Sequence, residues 1–418
     1  MLSAAALQKY LLFTAALIFT LNPVGMPAQT LNVLHNFGIA AGDGDIPYAN
    51  VTMDSAGNIY GTTLTGGAHG LGSVYRLAPG SNGRWKETIL YSFKGGSTDG
   101  ASPHAKLFLD SQGNLFSTTL GGGPRSKSCT GSASGCGVVF ELAAQSNGQY
   151  KESVLHFFSG SDGSSPYAGL TPDSAGNFYG AASGGGSKNA GVVYKLSFNG
   201  TAWTETVLHS FTGGSDGKTP YGDLAFDAAG NLYGTTYAGG SARQGVVYQL
   251  SPQSDGTWTE KILHTFLGSG DGAETFAGVV LDSSGNVFGT TQAGGSFNYG
   301  TVFELSAAKN YASSILHSFN LDLRDGTFPN GLIFDKAGNL LGTTAGAGQN
   351  DGNGTIFQLT PSSSGWTENV LFTFQGSNDG TYPDTALLMD GVGNLYGATI
   401  WGGTAGDTNG GVVFQFVP

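Results

Sequence analysis

The stretch LAFDAAGNLYGTTYAGGSARQGVVYQLSPQSDGTWTEKILHTF (224–266) decides the fold. It reads as four short strands: LAFD (224–227), LYGTT (232–236), VVYQL (246–250) and WTEKILHTF (258–266). AAGN, the glycine-rich YAGGSARQG and SPQSDG lie between or beside them. β-branched and aromatic runs bounded by Gly, Asn, Asp and Pro are the signature of strands and turns. Nowhere does a 3.6-residue apolar period persist over helical length.

The same unit recurs along the chain. A Gly-Asn-apolar-aromatic string places its Asn at Asn58, Asn114, Asn177, Asn231, Asn286, Asn339 and Asn394, with Leu341 as the one non-aromatic last member. The spacings are 56, 63, 54, 55, 53 and 55 residues, and the long one coincides with an insertion around Cys129–Cys136. Seven units of four strands each predict an all-β, seven-bladed β-propeller. The chain ends agree with a closed ring. TLNVLHNF (30–37) matches the fourth strand of a unit, as in TVLHSF (206–211), whereas GVVFQF (411–416) matches a third strand and stops. Residues 31–37 are therefore expected to complete the blade built from residues 384–416, leaving no unpaired blade. In such blades the Gly-Gly loops and the Asp-Gly-x-x-Pro connections share one face, and the DxxGN hairpins lie on the other.

Composition narrows the function classes. Glycine supplies 71 of 418 residues, charged residues only 11%, and Lys+Arg 17 against Asp+Glu 29 give a net charge of -12. That balance argues against nucleic acid and against a polybasic membrane binder. Hydrophobic residues at 39% are enough for a large core. Residues 1–28 read as a secretory signal, with Lys9, an apolar run from Tyr10 to Leu21 and Pro23–Ala28 before Gln29; an uncleaved anchor is the alternative. Residues 29–418 are expected to form one propeller domain without an integral membrane segment, probed best as a secreted, periplasmic or cell-surface monomer. Cys129 and Cys136 are the only cysteines, and in an oxidising compartment a local disulfide is the simplest reading, with two free thiols as the alternative.

The recurring pattern VLHSFxGGxDGxxPYxxLxxDxxGNLYGTTxxGGxxxxGVVYxL resembles the GloVer tandem repeat, found in exported bacterial proteins with a choice of C-terminal anchors. The resemblance covers residues 31–418 in all seven units and implies a surface-exposed or secreted repeat protein. No hydrophobic tail is read before Pro418, so release, or retention only through partners, is expected.

Most repeated polar residues read as structural. The Asp-Gly pairs at Asp43, Asp99, Asp162, Asp216, Asp271, Asp325 and Asp379 resemble calcium-loop turns. Most copies, however, offer a single carboxylate where calcium needs several oxygens; GDGD (42–45) is the best exception. No cofactor is expected, with calcium the weak alternative. A second set (Asp54, Asp110, Asp173, Asp227, Asp282, Asp335 and Asp390) reads as an Asx-type hairpin device. His35, His156, His209, His264 and His317 share a fourth-strand position also held by Tyr91 and Phe372, which suits packing. The Trp-x-Glu pairs at Trp85, Trp203, Trp258 and Trp366, with Tyr150 substituting once, read the same way.

Function is sought where a repeat breaks its own rule. Trp401 replaces a small residue before the Gly-Gly pair. Asn50, Lys106 and Asp223 replace Gly or Ala three positions after the inner-strand proline. His104 and Asp384 replace the aromatic one position after it, as in Tyr48, Tyr167 and Tyr221. An aromatic face beside Asp, Lys and Asn suits a sugar. The expected function is a non-catalytic exported propeller that binds extracellular glycan or a cell-surface protein. The alternatives are a carbohydrate-active hydrolase or lyase using Asp223 and Asp384, and a purely structural surface protein.

Overall fold

The computed structural model describes residues 29–127, 129, 135–321, 325–347, 352–376, 378–404 and 410–418. The expected signal peptide, 1–28, lies outside the described residues. Seven antiparallel blades form a propeller. The fourth is representative, with strands Ala225–Phe226, Leu232–Thr236, Val246–Pro252 and Trp258–Thr265 in that order from the axis outward. Its innermost strand is only two residues long, because the chain ahead of it leaves the ladder to line the channel.

The ring closes as the sequence predicts. Thr30–Asn36 pairs antiparallel with Val412–Val417, from Thr30 opposite Val417 to Asn36 opposite Val412, and supplies the outer strand of the seventh blade. The two loop families expected on one face also meet there. Backbone pairs join Gly44 to Gly66, Gly100 to Gly122, Ser164 to Gly184, Lys218 to Ala238, Ala273 to Ala293, Thr327 to Gly346 and Thr381 to Trp401. Cys129 and Cys136 form a disulfide with Cα atoms 5.1 Å apart.

Between successive blades lie seven apolar clusters, so the core is distributed over the seams of the ring. Each third strand contributes a fully buried ring: Tyr75, Phe140, Tyr194, Tyr248, Phe303, Phe357 and Phe414. In six blades the second-strand residue opposite is glycine, as in Gly234 opposite Tyr248 and Gly289 opposite Phe303; Ser117 takes the place opposite Phe140. A Cβ on Gly289 would stand 2.6 Å from the Phe303 ring, so in that blade glycine is what lets the aromatic lie on the strand.

The hairpin Asp residues behave as the Asx reading expects. Asp227 Oδ1 accepts the backbone N–H groups of Ala229 and Asn231, both at 2.9 Å, and Oδ2 accepts Asn231 Nδ2 at 2.7 Å. The same three bonds form at Asp54, Asp110, Asp173, Asp282, Asp335 and Asp390. Among the described residues, no helix is long and apolar enough to cross a membrane.

Candidate functional site

Each connection from an outer strand to the next blade turns into the channel through one residue in the left-handed region: Ile46, Ser102, Ser165, Thr219, Glu274, Phe328 and Tyr382, with φ between 50° and 61°. Non-glycine side chains rarely adopt this conformation, and β-branched ones least. The fold holds it by bonding the kinked residue to both neighbours. Thr219 donates its N–H to Ala190 of the preceding blade at 2.8 Å, and its carbonyl accepts Tyr237 N–H of the following blade at 3.0 Å. Proline follows in six of the seven, and the next residue points to the axis.

Those next residues are Tyr48, His104, Tyr167, Tyr221, Phe276, Asn330 and Asp384, and they constrict the channel. Ring centroids run 4.1 Å from Tyr48 to His104, 4.4 Å to Tyr167, 4.6 Å to Tyr221 and 4.8 Å to Phe276. Tyr167 and Phe276, two blades apart, are still within 6.2 Å. Tyr48 OH donates to Asp384 Oδ2 at 2.5 Å, while Asp384 Oδ1 is buried without a partner. Burial pushes the Asp384 carboxyl up to about 6 against the hydrogen bond from Tyr48, and pushes the His104 imidazole down to about 3, keeping it neutral.

From this constriction a cavity of about 650 Å³ follows the inner strands, reaching Met53, Leu109, Pro172 and Leu388. Five of the six candidate ligand-binding residues line it: Asn50, His104, Lys106, Asp223 and Asp384. Two of them are engaged with the ring itself. Asn50 Oδ1 accepts Ala386 N–H at 2.7 Å, and Asp223 Oδ1 accepts Gly169 N–H at 2.6 Å, each binding one blade to its neighbour. Lys106 is the exposed residue of the lining and its only cation. Trp401 stands apart, its ring packed edge-on against Tyr382 at 5.0 Å. Phe276 and Asn330 escaped the sequence reading; the position after Pro329 marks Asn330, whereas Phe276 follows Thr275 and only the repeat register marks it.

A second polar feature unites three motifs that read separately as packing or turns. In every third-to-outer strand pair a β-bulge precedes the fourth-strand His position. The His then meets the Asp of the following Asp-Gly turn and, in four seams, the Glu of the next blade's outer strand. His156 Nε2 lies 3.1 Å from Asp162 and His264 Nε2 3.0 Å from Asp271. His209 Nε2 lies 3.8 Å from Asp216 and 3.4 Å from Glu260. Burial pushes Glu87, Glu152, Glu205, Glu260 and Glu368 each up to about 7. Where His is replaced by Phe372, the Glu position holds Leu31 and that seam is apolar.

The architecture defines a seven-bladed β-propeller built from one tandem repeat. The Gloeobacter/Verrucomicrobia repeat matches residues 125–344, more than half of the chain, and the chain belongs to that family. A search of curated proteins finds no match. Among solved structures, similarity extends to PorZ, a bacterial surface component of the type-IX secretion system of Porphyromonas gingivalis, with TM-score 0.52 and 14% identity over 88% of this chain and 46% of that one. An ancestral GH74 enzyme gives TM-score 0.57 and 12% identity over 93% of this chain and 50% of the other. A PL25 ulvan lyase gives 0.51 and 12% over 82% and 86%. The chain thus spans about half the length of the first two. At these identities the shared property is the propeller fold.

Proposed function

We propose that the protein is an exported propeller that binds extracellular carbohydrate in its central cavity, without turning it over and as a closed monomeric ring. The observation that carries this reading is the aromatic constriction with the Lys106 side chain standing free in the cavity below it. Stacked rings accept the apolar face of a sugar, while Lys106 and the remaining carboxylate and amide oxygens meet its hydroxyls. Asp223 and Asn50 are already committed to holding neighbouring blades, which favours a rigid binding wall over a pair of reacting acids. The N-terminal stretch 1–28 and the surface location stated for PorZ support an exported protein.

The test is thermal unfolding against neutral and uronate-containing oligosaccharides. A ligand bound only by the native state raises Tm by mass action. A rise that Lys106→Ala and Tyr221→Ala remove supports the reading; a flat response over the panel sinks it.

One observation favours a second reading. Asp384, in the cavity with an unpartnered oxygen and a carboxyl pushed up to about 6, has the character of a general acid. Turnover of a polysaccharide, lost in Asp384→Asn with the fold intact, would make the protein a carbohydrate-active hydrolase or lyase.

A further inference from the structure

Three seams gather one His, one Asp and one Glu, at His156, Asp162 and Glu205, at His317, Asp325 and Glu368, and at the seam that closes the ring, where the His is left without a hydrogen bond. His35 comes from the N-terminal strand of the seventh blade, Asp43 from the connection to the first blade, and Glu87 from the outer strand of the first blade. One ligand atom from each lies within 4.8 Å of the others. His35 Nε2 stands 3.7 Å from Asp43 Oδ1 and 3.8 Å from Glu87 Oε2. These distances are too long for hydrogen bonds. Accordingly His35 Nε2, Asp43 Oδ1 and Glu87 Oε1 are all buried atoms without a partner. At His156, His264 and His317 the same His is consumed by its Asp, with Nε2 3.0–3.1 Å away. His209 Nε2 is also unpartnered, but it lies 3.4 Å from Glu260 and 3.8 Å from Asp216 and is not part of a three-donor group among the described residues.

We propose that His35, Asp43 and Glu87 bind a divalent transition-metal ion, zinc being the probe, across the seam where the two ends of the chain meet. Ligand atoms at about 2.0–2.2 Å from a tetrahedral zinc are roughly 3.3–3.6 Å from one another, so His35 needs to close on each carboxylate by only a few tenths of an ångström. Two carboxylates and an imidazole, once deprotonated, supply two negative charges to an ion in a site closed to solvent on one side. The Asp43 side chain is only 5% exposed, and His35 and Glu87, at 20% and 18%, leave an entry for the ion. One nitrogen with two oxygens suits zinc better than calcium, which takes oxygen ligands alone. The GDGD segment thus supplies Asp43 to a different ion than its loop form suggests. The site spans two blades, so occupancy would fasten the N-terminal strand to the first blade.

The test uses the purified, untagged protein, stripped with a chelator and titrated with zinc chloride at pH 8 by calorimetry and by thermal unfolding. The expected result is one saturable tight site per chain and a zinc-dependent rise in Tm. Glu87→Gln and His35→Gln should each weaken binding roughly tenfold or more. His264→Gln, in a seam where Ser313 stands at the Glu position, should bind zinc like the parent. Absence of saturable binding to the parent protein overturns the proposal, as does binding that survives His35→Gln. Either result would leave a proton, carried by Glu87, as the charge that balances the cluster.

Discussion

Tyr48 and Asp384 share a 2.5 Å hydrogen bond across 336 positions of chain, joining the first inner segment of the propeller to the last. The bond belongs to the channel constriction and to the ring closure at once. It also works against the burial that raises the titration of the cavity's most buried acid.

That acid gives the first prediction. Asp384 titrates near 3.8 when unfolded and at about 6 in the native ring, because burial disfavours its charge. A raised native value means that its contribution to stability is complete below about pH 3.8 and is lost as pH rises through about 6. Asp384→Asn should therefore flatten the Tm profile between pH 4 and 7. A variant profile as steep as the parent's would contradict this.

The seam glutamates predict a larger trend of the same sign. Glu152, Glu205, Glu260 and Glu368 rise from 4.5 to about 7, chiefly through burial. Stability should fall from about pH 4.5 through 7 as the four ionise in the native state. Replacing Glu152 and Glu260 by Gln should visibly reduce the slope in a calorimetric pH series. An unchanged slope would mean that the seams relax to solvate these carboxylates.

Three blades bury a tyrosine where the others bury a phenylalanine. The hydroxyls of Tyr75, Tyr194 and Tyr248 are buried without a hydrogen-bond partner, while Phe140, Phe303, Phe357 and Phe414 fill the same place elsewhere. Burying an unpaired hydroxyl costs about 1–3 kcal/mol, so Tyr194→Phe should raise stability by about 1 kcal/mol. Denaturant unfolding checks it; a loss of stability would reveal a partner for the hydroxyl.

The kinked connections store backbone strain. Thr219 is β-branched and sits at φ 60°. Asn tolerates that region better, so Thr219→Asn should stabilise the ring by about 1 kcal/mol. Thr219→Pro, which cannot reach a positive φ and loses the N–H given to Ala190, should be severely destabilised. Equal stability of Thr219→Asn and the parent would show that the side chain's packing offsets the strain.

The fold was legible because its signals are local and repeated. The hairpin Asp and Asn, the Gly-Gly loops and the mismatch between residues 30–37 and 411–416 all lie within one unit or at its ends. The cavity was legible in part. Asn50, His104, Lys106, Asp223 and Asp384 stood out as exceptions and do meet in the channel, but the exceptions drew attention away from the rule. The regular Tyr48, Tyr167 and Tyr221, with Phe276, build the constriction that gives those residues a setting. Trp401 stood out equally and packs on Tyr382 instead. The seam clusters were least legible, because His209, Asp216 and Glu260 come from two blades and a connection. Each residue reads alone as packing or turn, and only the rotation from blade to blade brings them together.

The closing strand also sets the order of events in time. Thr30–Asn36 is synthesised before any other strand described here and waits for Val412–Val417, with 383 residues separating the paired Asn32 and Gln415. Six blades can form from neighbours in sequence as the chain grows, but the seventh depends on the most distant contact in the molecule. Such contacts must meet the entropy of loop closure before they return any energy, and they slow folding. Until the last strand arrives, the first remains an open edge available to another chain. Ring closure is therefore the slow step, and exchange of this strand between two chains is the misfolding route that the architecture makes available.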